Sequence, residues 1–437
     1  MLKIFNLSLY LKRFPVKRAK EELKKISEIE EATYDDFLKK KKADIVNYHL
    51  KNNSFYRTKV KNGFTTWQSL PVLKKQDFQI PLKQRLSTGF SEKNIYSNKT
   101  SGSSGNPIRF AKDKYSHAIT WAYHMERFGW HGIDFNKSFQ ARYYGIPLDF
   151  IENKKIRLKD WLAKRYRFSI TDFSEKALKD MLEVYKSTPF DYINGYTSSI
   201  VLFAKYLKEN DLILKDICPT LKVCIVTSEM LFEADKMLLE KQLGVAVVNE
   251  YGFAEAGVLA FTNLEGEWEV DSKTLFVEIL DENDIPVPLG AEGKIVITSL
   301  HNKAHPFIRY EIGDYGALSE KSTLKKPILK KLLGRTNDFA LLPSGKKAAG
   351  MTFYVIAKKI MEESGNIKEF KVIQTKTDTF EINYVSDTPL TNEKINSITK
   401  TFEQFLESGI QFNFNRKEHL DRTTSGKLKQ FISLVES

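Results

Sequence analysis

The chain has 437 residues, 42% of them hydrophobic, and a formal net charge of +13. That length and balance suit a globular protein of two or three domains with a large core, and no apolar run approaches the roughly 18–20 residues of a membrane-spanning helix. The two cysteines, Cys218 and Cys224, lie in an apolar stretch and fit buried free thiols in a reducing compartment better than a disulfide framework or a metal site.

The opening residues, MLKIFNLSLYLKRF, are too interrupted by polar side chains for a signal-peptide core, so a cytoplasmic protein is expected. The positive charge points to an anionic partner. Basic residues cluster at 12–25, 39–42, 154–168 and 321–331, and the third cluster interleaves Trp161, Tyr166 and Phe168. Such a mixture suits a phosphorylated cofactor, a nucleic acid or a membrane surface. A solvated helix with its apolar side on the core is the plainer reading of 154–168.

In chain order, apolar residues at three- and four-residue spacing (Leu23, Ile26, Ile29) predict helix from Lys3 to about Asn53. Residues 2–14 are amphipathic and basic, which fits a packed surface helix or one lying on a membrane. After a turn at Leu70-Pro71 comes YSNKTSGSSGNPIRF, 96–110, where Thr100, Ser101, Ser103 and Ser104 alternate with Gly102 and Gly105. Glycines let backbone N–H groups form a concave nest for an anion, yet the same composition makes a flexible linker. The spacing does not match the common phosphate loop, G-x-x-x-x-G-K-[ST]. Next, 108–110 reads as a strand and 114–128 as a helix. His117, His124 and His131 recur on that helix every seven residues, wider than metal ligation usually wants. Pro306 breaks any helix through His301 and His305.

From 139 onward short apolar strands (139–146, 190–195, 221–226, 245–248) alternate with helices (174–186, 200–208, 233–243). That alternation predicts an α/β sheet. Polar clusters follow the strand ends, where open α/β sheets place their ligands. Past about 265, strands at 268–270, 275–280 and 293–298 divided by Asp, Asn, Pro and Gly turns predict a meander or small barrel. A separate α+β unit comes last, with helices at 351–363 and 393–406, a hairpin over 370–385 and a strand at 410–414.

Four polar clusters join the Ser/Gly stretch: Tyr251-Gly252-Phe253-Ala254-Glu255, Arg309-Tyr310-Glu311-Ile312-Gly313-Asp314, Gly334-Arg335-Thr336-Asn337-Asp338 and Thr424-Ser425-Gly426-Lys427. Each alone is commonplace at a turn. Their order and content together resemble the core motifs of the adenylate-forming superfamily. The closest likeness is to the phenylacetate–CoA ligase family, including its branch associated with capsular polysaccharide biosynthesis. The resemblance runs from LPVLKKQDF to SGKLKQF, nearly the whole chain. It implies an α/β fold: a large N-terminal domain of layered α/β sheets over 1–336, with a β-rich part at about 265–330, and a small mobile α+β domain over 337–437.

The resemblance also implies a reaction. A carboxylic acid attacks the α-phosphate of ATP to become an acyl-adenylate, and the acyl group then passes to coenzyme A. Phosphoryl transfer asks the protein mainly for positioning and charge neutralisation. Thr100, Ser101, Gly102, Ser103, Ser104 and Gly105 match the family's phosphate loop, and Glu255 its Mg²⁺ ligand, with Glu250 a weaker rival. Tyr251 resembles the aromatic stacked on adenine, Gly252 lets the base approach, and Thr227, Ser228 and Glu229 resemble the adenine wall. Asp314 matches the ribose-binding aspartate, Arg335 an arginine near the ribose and phosphate, and Lys427 the catalytic lysine of the mobile domain. Asn337 stands where an acidic hinge residue is usual. Tyr143, Tyr144, Tyr196, Phe253 and Ala254 are the expected lining of the acid pocket. Beside coenzyme A, an amine on a sugar or amino acid is the alternative acceptor, and a silent nucleotide-binding protein of the same fold is the third reading. Peripheral membrane contact through the basic segments completes the expected partners; no nucleic acid is expected.

Overall fold

The computed structural model describes residues 4–60, 65–100, 107–145, 150–170, 172–335, 339–350, 352–353, 356–357, 360, 367–421 and 431–435. Ahead of residue 245 its helices are α1 (Ile4–Leu11), α2 (Val16–Glu28), α3 (Glu31–Asn52), α4 (Ser54–Lys59), α5 (Leu82–Arg85), α6 (Lys114–Trp130), α7 (Phe150–Leu162), α8 (Glu175–Ser187), α9 (Thr197–Glu209), α10 (Leu214–Ile217) and α11 (Glu233–Leu243). The helical pattern expected over 3–53 is therefore real but broken twice. One break falls where the backbone turns left-handed at Arg13 (φ 58°), and Pro15 then stands at the N-cap of α2.

The Ser/Gly stretch joins two paired strands. Strands β1 (Ile95–Lys99) and β2 (Arg109–Asp113) are antiparallel in the register Lys99↔Arg109. Asp113 ends β2 and caps α6, accepting hydrogen bonds from the backbone N–H groups of Tyr115 and Ser116.

A seven-stranded sheet dominates the first half. It runs β4 (Arg165–Phe168), β3 (Gln140–Tyr143), β5 (Tyr192–Tyr196), β6 (Val223–Thr227), β7 (Ala246–Phe253), β8 (Gly257–Thr262), β9 (Trp268–Val270), parallel as far as β7 and antiparallel after it. Side chains alternate between faces with period two. Ala141, Tyr143, Phe168, Ile193, Cys224 and Val226 share a buried cluster with residues of α8, α9 and α11, whereas Tyr192, Val223, Ile225 and Val248 pack with residues of α2 and α6. Each buried large apolar side chain contributes roughly 1.5–3 kcal/mol.

Three expectations need correction. Trp268–Val270 is the edge of this sheet, not part of a second β unit. The basic stretch 154–168 is not one helix: α7 ends at Leu162, and Arg165–Phe168 forms the opposite edge strand. Tyr143 does not line an acid pocket. It is fully buried on the α8–α9 face, stacked on Phe168 with centroids 4.9 Å apart and sharing a hydrogen bond with the Tyr185 hydroxyl.

Gly195 pairs with Tyr143, and a Cβ there would lie 2.4 Å from the Tyr143 carbonyl oxygen and Cβ. Gly195→Ala is therefore expected to push β3 from β5 and cost about 2–3 kcal/mol, read as a lowered urea midpoint. An unchanged midpoint would show that the sheet yields at this point.

A second, four-stranded antiparallel sheet contains β10 (Leu275–Leu280), β11 (Gly293–Ser299), β12 (Tyr310–Leu318) and β13 (Leu329–Arg335) in that order, a meander rather than a barrel. Its apolar face packs with Phe78, Phe110 and Leu259. Beyond it lie the hairpin β14 (Phe339–Leu341)–β15 (Lys347–Ala349) and a mixed sheet in the order β18 (Gln411–Arg416), β17 (Thr379–Ser386), β16 (Ile367–Lys376), β19 (Phe431–Ser433). A helix, Asn392–Phe405, covers this last sheet, and Ile398 and Phe402 join its own buried cluster. The expected helix 351–363 lies only partly among the described residues, and the expected boundary at 336 lies outside them.

Candidate active site

Polar residues gather at the carboxyl ends of β5, β6 and β7, and the second sheet meets them there. Glu255, two residues past β7, is buried, and the Tyr310 hydroxyl at the start of β12 donates to its Oε1 (3.2 Å). Burial pushes its carboxyl pKa up; its own backbone, Tyr310, Lys75 and Lys112 oppose that. Lys112, on β2, is itself buried and donates to Thr120 Oγ1 (3.3 Å). Burial pushes its pKa down to about 7 against the charge of Glu255. A carboxylate at a strand end is a hard oxygen donor of the kind a magnesium ion takes.

Tyr251 and Asp314, 63 residues apart, are brought into contact: the Tyr251 hydroxyl donates to Asp314 Oδ2 at 2.5 Å. Asp314 stands opposite Arg335 in the β12–β13 register. Gly252 has a structural reason of its own, since a Cβ there would meet the Gly257 carbonyl oxygen at 2.6 Å, where β7 and β8 shift register. Phe253 is half-buried against the second-sheet core, and Ala254 is exposed.

The segment after β6 divides its residues between tasks. Thr227 is buried and donates to Glu250 Oε1 (3.1 Å). Ser228 has a left-handed backbone with φ 69°. Glu229 accepts from the backbone N–H of Ser198 (2.8 Å), so its charge faces the start of α9, where a negative group is favoured. Thr100 closes the base of the Ser/Gly loop: its N–H donates to the Ile108 carbonyl (2.9 Å), and its hydroxyl accepts from the Ile108 N–H (3.0 Å). Ser101, Gly102, Ser103, Ser104 and Gly105 lie outside the described residues, as do Thr336, Asn337, Asp338 and Lys427.

Glu250 and Glu255 are five residues apart in chain but differ in surroundings. Glu250 shares the face of the main sheet that carries Arg142 and Asn194, by the registers Thr227↔Glu250, Asn194↔Ile225 and Arg142↔Asn194. Burial pushes its pKa up to about 7, opposed by the Thr227 hydrogen bond and the Arg142 charge. Tyr144 donates to Asn194 Oδ1 (3.2 Å) and packs on Tyr196 with ring centroids 4.9 Å apart. The histidines of α6 hold no metal cluster among the described residues. His117 stacks on Tyr96, His124 on Phe128, and His131 bonds the Thr262 carbonyl.

No protein-family model matches the chain. An indoleacetate–lysine synthetase of Pseudomonas savastanoi is 29% identical over 148 residues, 33% of this chain and 33% of that protein. A phenylacetate–coenzyme A ligase of Aromatoleum evansii is 29% identical over 131 residues, 28% of this chain and 29% of that one. The chain thus spans about a third of the length of the curated relatives it matches. A solved 2-hydroxyisobutyryl-CoA ligase, in the postadenylation state with a bound acyl-AMP, superposes with a TM-score of 0.68 at 16% identity over 93% of this chain and 90% of that one. The fold is that of the acyl-CoA ligases. A second member of that fold, an anthranilate CoA ligase in complex with anthranoyl-AMP, matches at a TM-score of 0.52 and 14% identity over 77% of this chain and 66% of that one.

Within this ligase fold, Arg142, Gln140, Asn194, Lys112 and the role of Tyr310 escaped the sequence reading. A signal existed for the first three. A parallel strand covered on both faces is normally apolar throughout, yet FQARYYG and DYINGY carry Gln140, Arg142 and Asn194 at alternate positions.

Proposed function

We propose that the chain is an ATP-dependent ligase that activates a carboxylic acid as its acyl-adenylate and passes the acyl group to coenzyme A. What carries the reading is the meeting of Tyr251 with Asp314 and of Glu255 with Tyr310 at the strand ends, from two separate sheets. The acid's carboxylate oxygen attacks the α-phosphorus, and the bond to pyrophosphate breaks. A thiol sulfur then attacks the acyl carbon, and AMP leaves.

In this reading the loop 100–105 grips the outer phosphates through its N–H groups and hydroxyls. Asp314 accepts from the ribose hydroxyls while keeping its bond from Tyr251, since a carboxylate has room for several donors. Glu255, oriented by the Tyr310 hydroxyl, would hold magnesium, which neutralises phosphate charge when bound. Arg335 and Lys427 add positive charge, the latter from a mobile unit at 337–437. The branch associated with surface polysaccharide and contact with an anionic membrane belong to the same proposal. Exposed Leu7, Tyr10, Leu11 and Trp161 beside basic residues support the membrane contact.

A second reading replaces coenzyme A with an amine. It draws on the indoleacetate–lysine synthetase relative, which matches the chain as well as the coenzyme A ligase does. Exchange of labelled pyrophosphate into ATP, dependent on both acid and Mg²⁺, is the expected result. Folded protein that shows none across a broad acid panel would end the ligase reading. Mass spectrometry of products made with coenzyme A or with lysine then separates the two acceptors.

A further inference from the structure

The face of the main sheet beneath α6 is lined, next to the candidate site, by groups that an apolar acid has no use for. Arg142 on β3 and Glu250 on β7 share that face, three strand spacings apart, about 14 Å between backbones. Both side chains are long enough to lean across the strands between them, and they are near enough for the Arg142 charge to favour ionised Glu250. The Arg142 Nε and Glu250 Oε2 atoms are not hydrogen-bonded to each other.

Each also leaves a buried atom without a hydrogen bond: the Nε–H donor of Arg142 and the Oε2 acceptor of Glu250. An unsatisfied buried polar atom costs about 1–3 kcal/mol, and here a donor and an acceptor are left on the same face. Other contacts hold each side chain in place. The Arg142 guanidinium lies 4.1 Å from the Tyr144 ring centre, and its Nη1 reaches Gln140 Oε1 at 3.4 Å. Glu250 Oε1 receives the Thr227 hydroxyl. Asn194 is occupied as well, accepting from Gln140 and Tyr144 and donating to the Ile225 carbonyl.

We infer that the acid activated here is hydroxylated, with hydroxyl oxygen accepting from Arg142 and hydroxyl hydrogen donated to Glu250. One hydroxyl can serve both, because it is at once acceptor and donor; two neighbouring hydroxyls serve equally. Tyr144, under the Arg142 guanidinium, packs on Tyr196 at the end of β5, and aromatic rings of this kind suit a carbon skeleton that carries polar groups. This inference rests on the ligase reading and adds the class of acid to it.

The test compares acids in pairs of equal skeleton by ATP–pyrophosphate exchange: 4-hydroxyphenylacetate with phenylacetate, 3-hydroxybutyrate with butyrate, gluconate with hexanoate. At least one hydroxy acid should exceed its deoxy partner about a hundredfold or more in kcat/KM, because a missing hydroxyl leaves the buried groups unpaired. In Arg142→Met and Glu250→Leu the ratio should fall about tenfold or more, a change of specificity that a merely damaged fold does not produce. Exchange in which deoxy acids match or exceed their hydroxy partners overturns the inference and leaves the ligase reading intact. Exchange with no acid at all overturns the ligase reading, and this inference falls with it. The wild-type comparison decides the matter even if both variants fail to fold.

Discussion

Glu255→Gln is expected to lower Mg²⁺-dependent pyrophosphate exchange by about a hundredfold to a thousandfold, the range seen when one fixed electrostatic stabiliser is removed from a reacting centre. The substitution is nearly isosteric. Its amide carbonyl still accepts the Tyr310 hydroxyl that now reaches Glu255 at 3.2 Å, so the junction of β7 and β12 keeps its geometry. What disappears is the negative charge beside Lys112 and Lys75. Exchange should therefore recover partly at high Mg²⁺, while the melting temperature stays within a few degrees of the parent. Full activity in the variant would remove Glu255 from the chemistry. A parallel collapse of melting temperature would assign it a structural role instead.

The largest expected loss of stability belongs to Arg309→Met. Arg309 is only 1% exposed, and its backbone sits at φ 44°, left-handed for a non-glycine residue. Its Nη1 donates to the carbonyl of Leu70 (2.6 Å), its Nη2 to that of Asp284 (3.0 Å), and its Nε lies 3.5 Å from Glu278 Oε2. One side chain thereby joins the 66–73 segment, β10 and the 281–286 turn just before Tyr310 enters the site. Methionine fills much of the volume but takes the Arg309 charge from the buried Glu278 carboxylate, leaving it Trp67 and Lys42, a change that costs about 3–5 kcal/mol.

The pH dependence follows. Burial already raises the Glu278 pKa, and Arg309 opposes that rise. With the cation gone, the folded pKa moves further above the unfolded one. A group of that kind adds stability below its unfolded pKa and loses it as pH rises through its folded pKa. Urea unfolding should therefore show a larger deficit for the variant at pH 8 than at pH 5.5. An equal deficit at both pH values would point to lost packing rather than stranded charge.

Much of the fold was legible because local and global preferences agree. The alternation of strands and helices over 139–253 needs only periodicity to be read, and the pairing of α8 with the sheet follows from Leu178, Met181, Leu182 and Tyr185 at helical spacing. The basic stretch 154–168 misled because charge and aromatic content say nothing about where a helix stops. Its last four residues take strand geometry through pairing with β3, a contact outside the window of any local pattern. Tyr143 misled in a similar way: neighbours Tyr143 and Tyr144 look alike in sequence, yet alternation places the first in the α8–α9 core.

The sequence by itself determined the fold class and the order of the motifs, because each depends on short-range spacing and side-chain chemistry. Only the tertiary structure decided which groups meet. Tyr251 reaches Asp314, Tyr310 reaches Glu255, and Glu229 turns to the start of α9. It also set Arg142 and Glu250 on one face with an unpaired donor and acceptor. Those pairings join residues 31 to 108 positions apart, or lie across four strands, and hydrogen bonding depends on distances of tenths of an ångström that spacing along the chain does not encode.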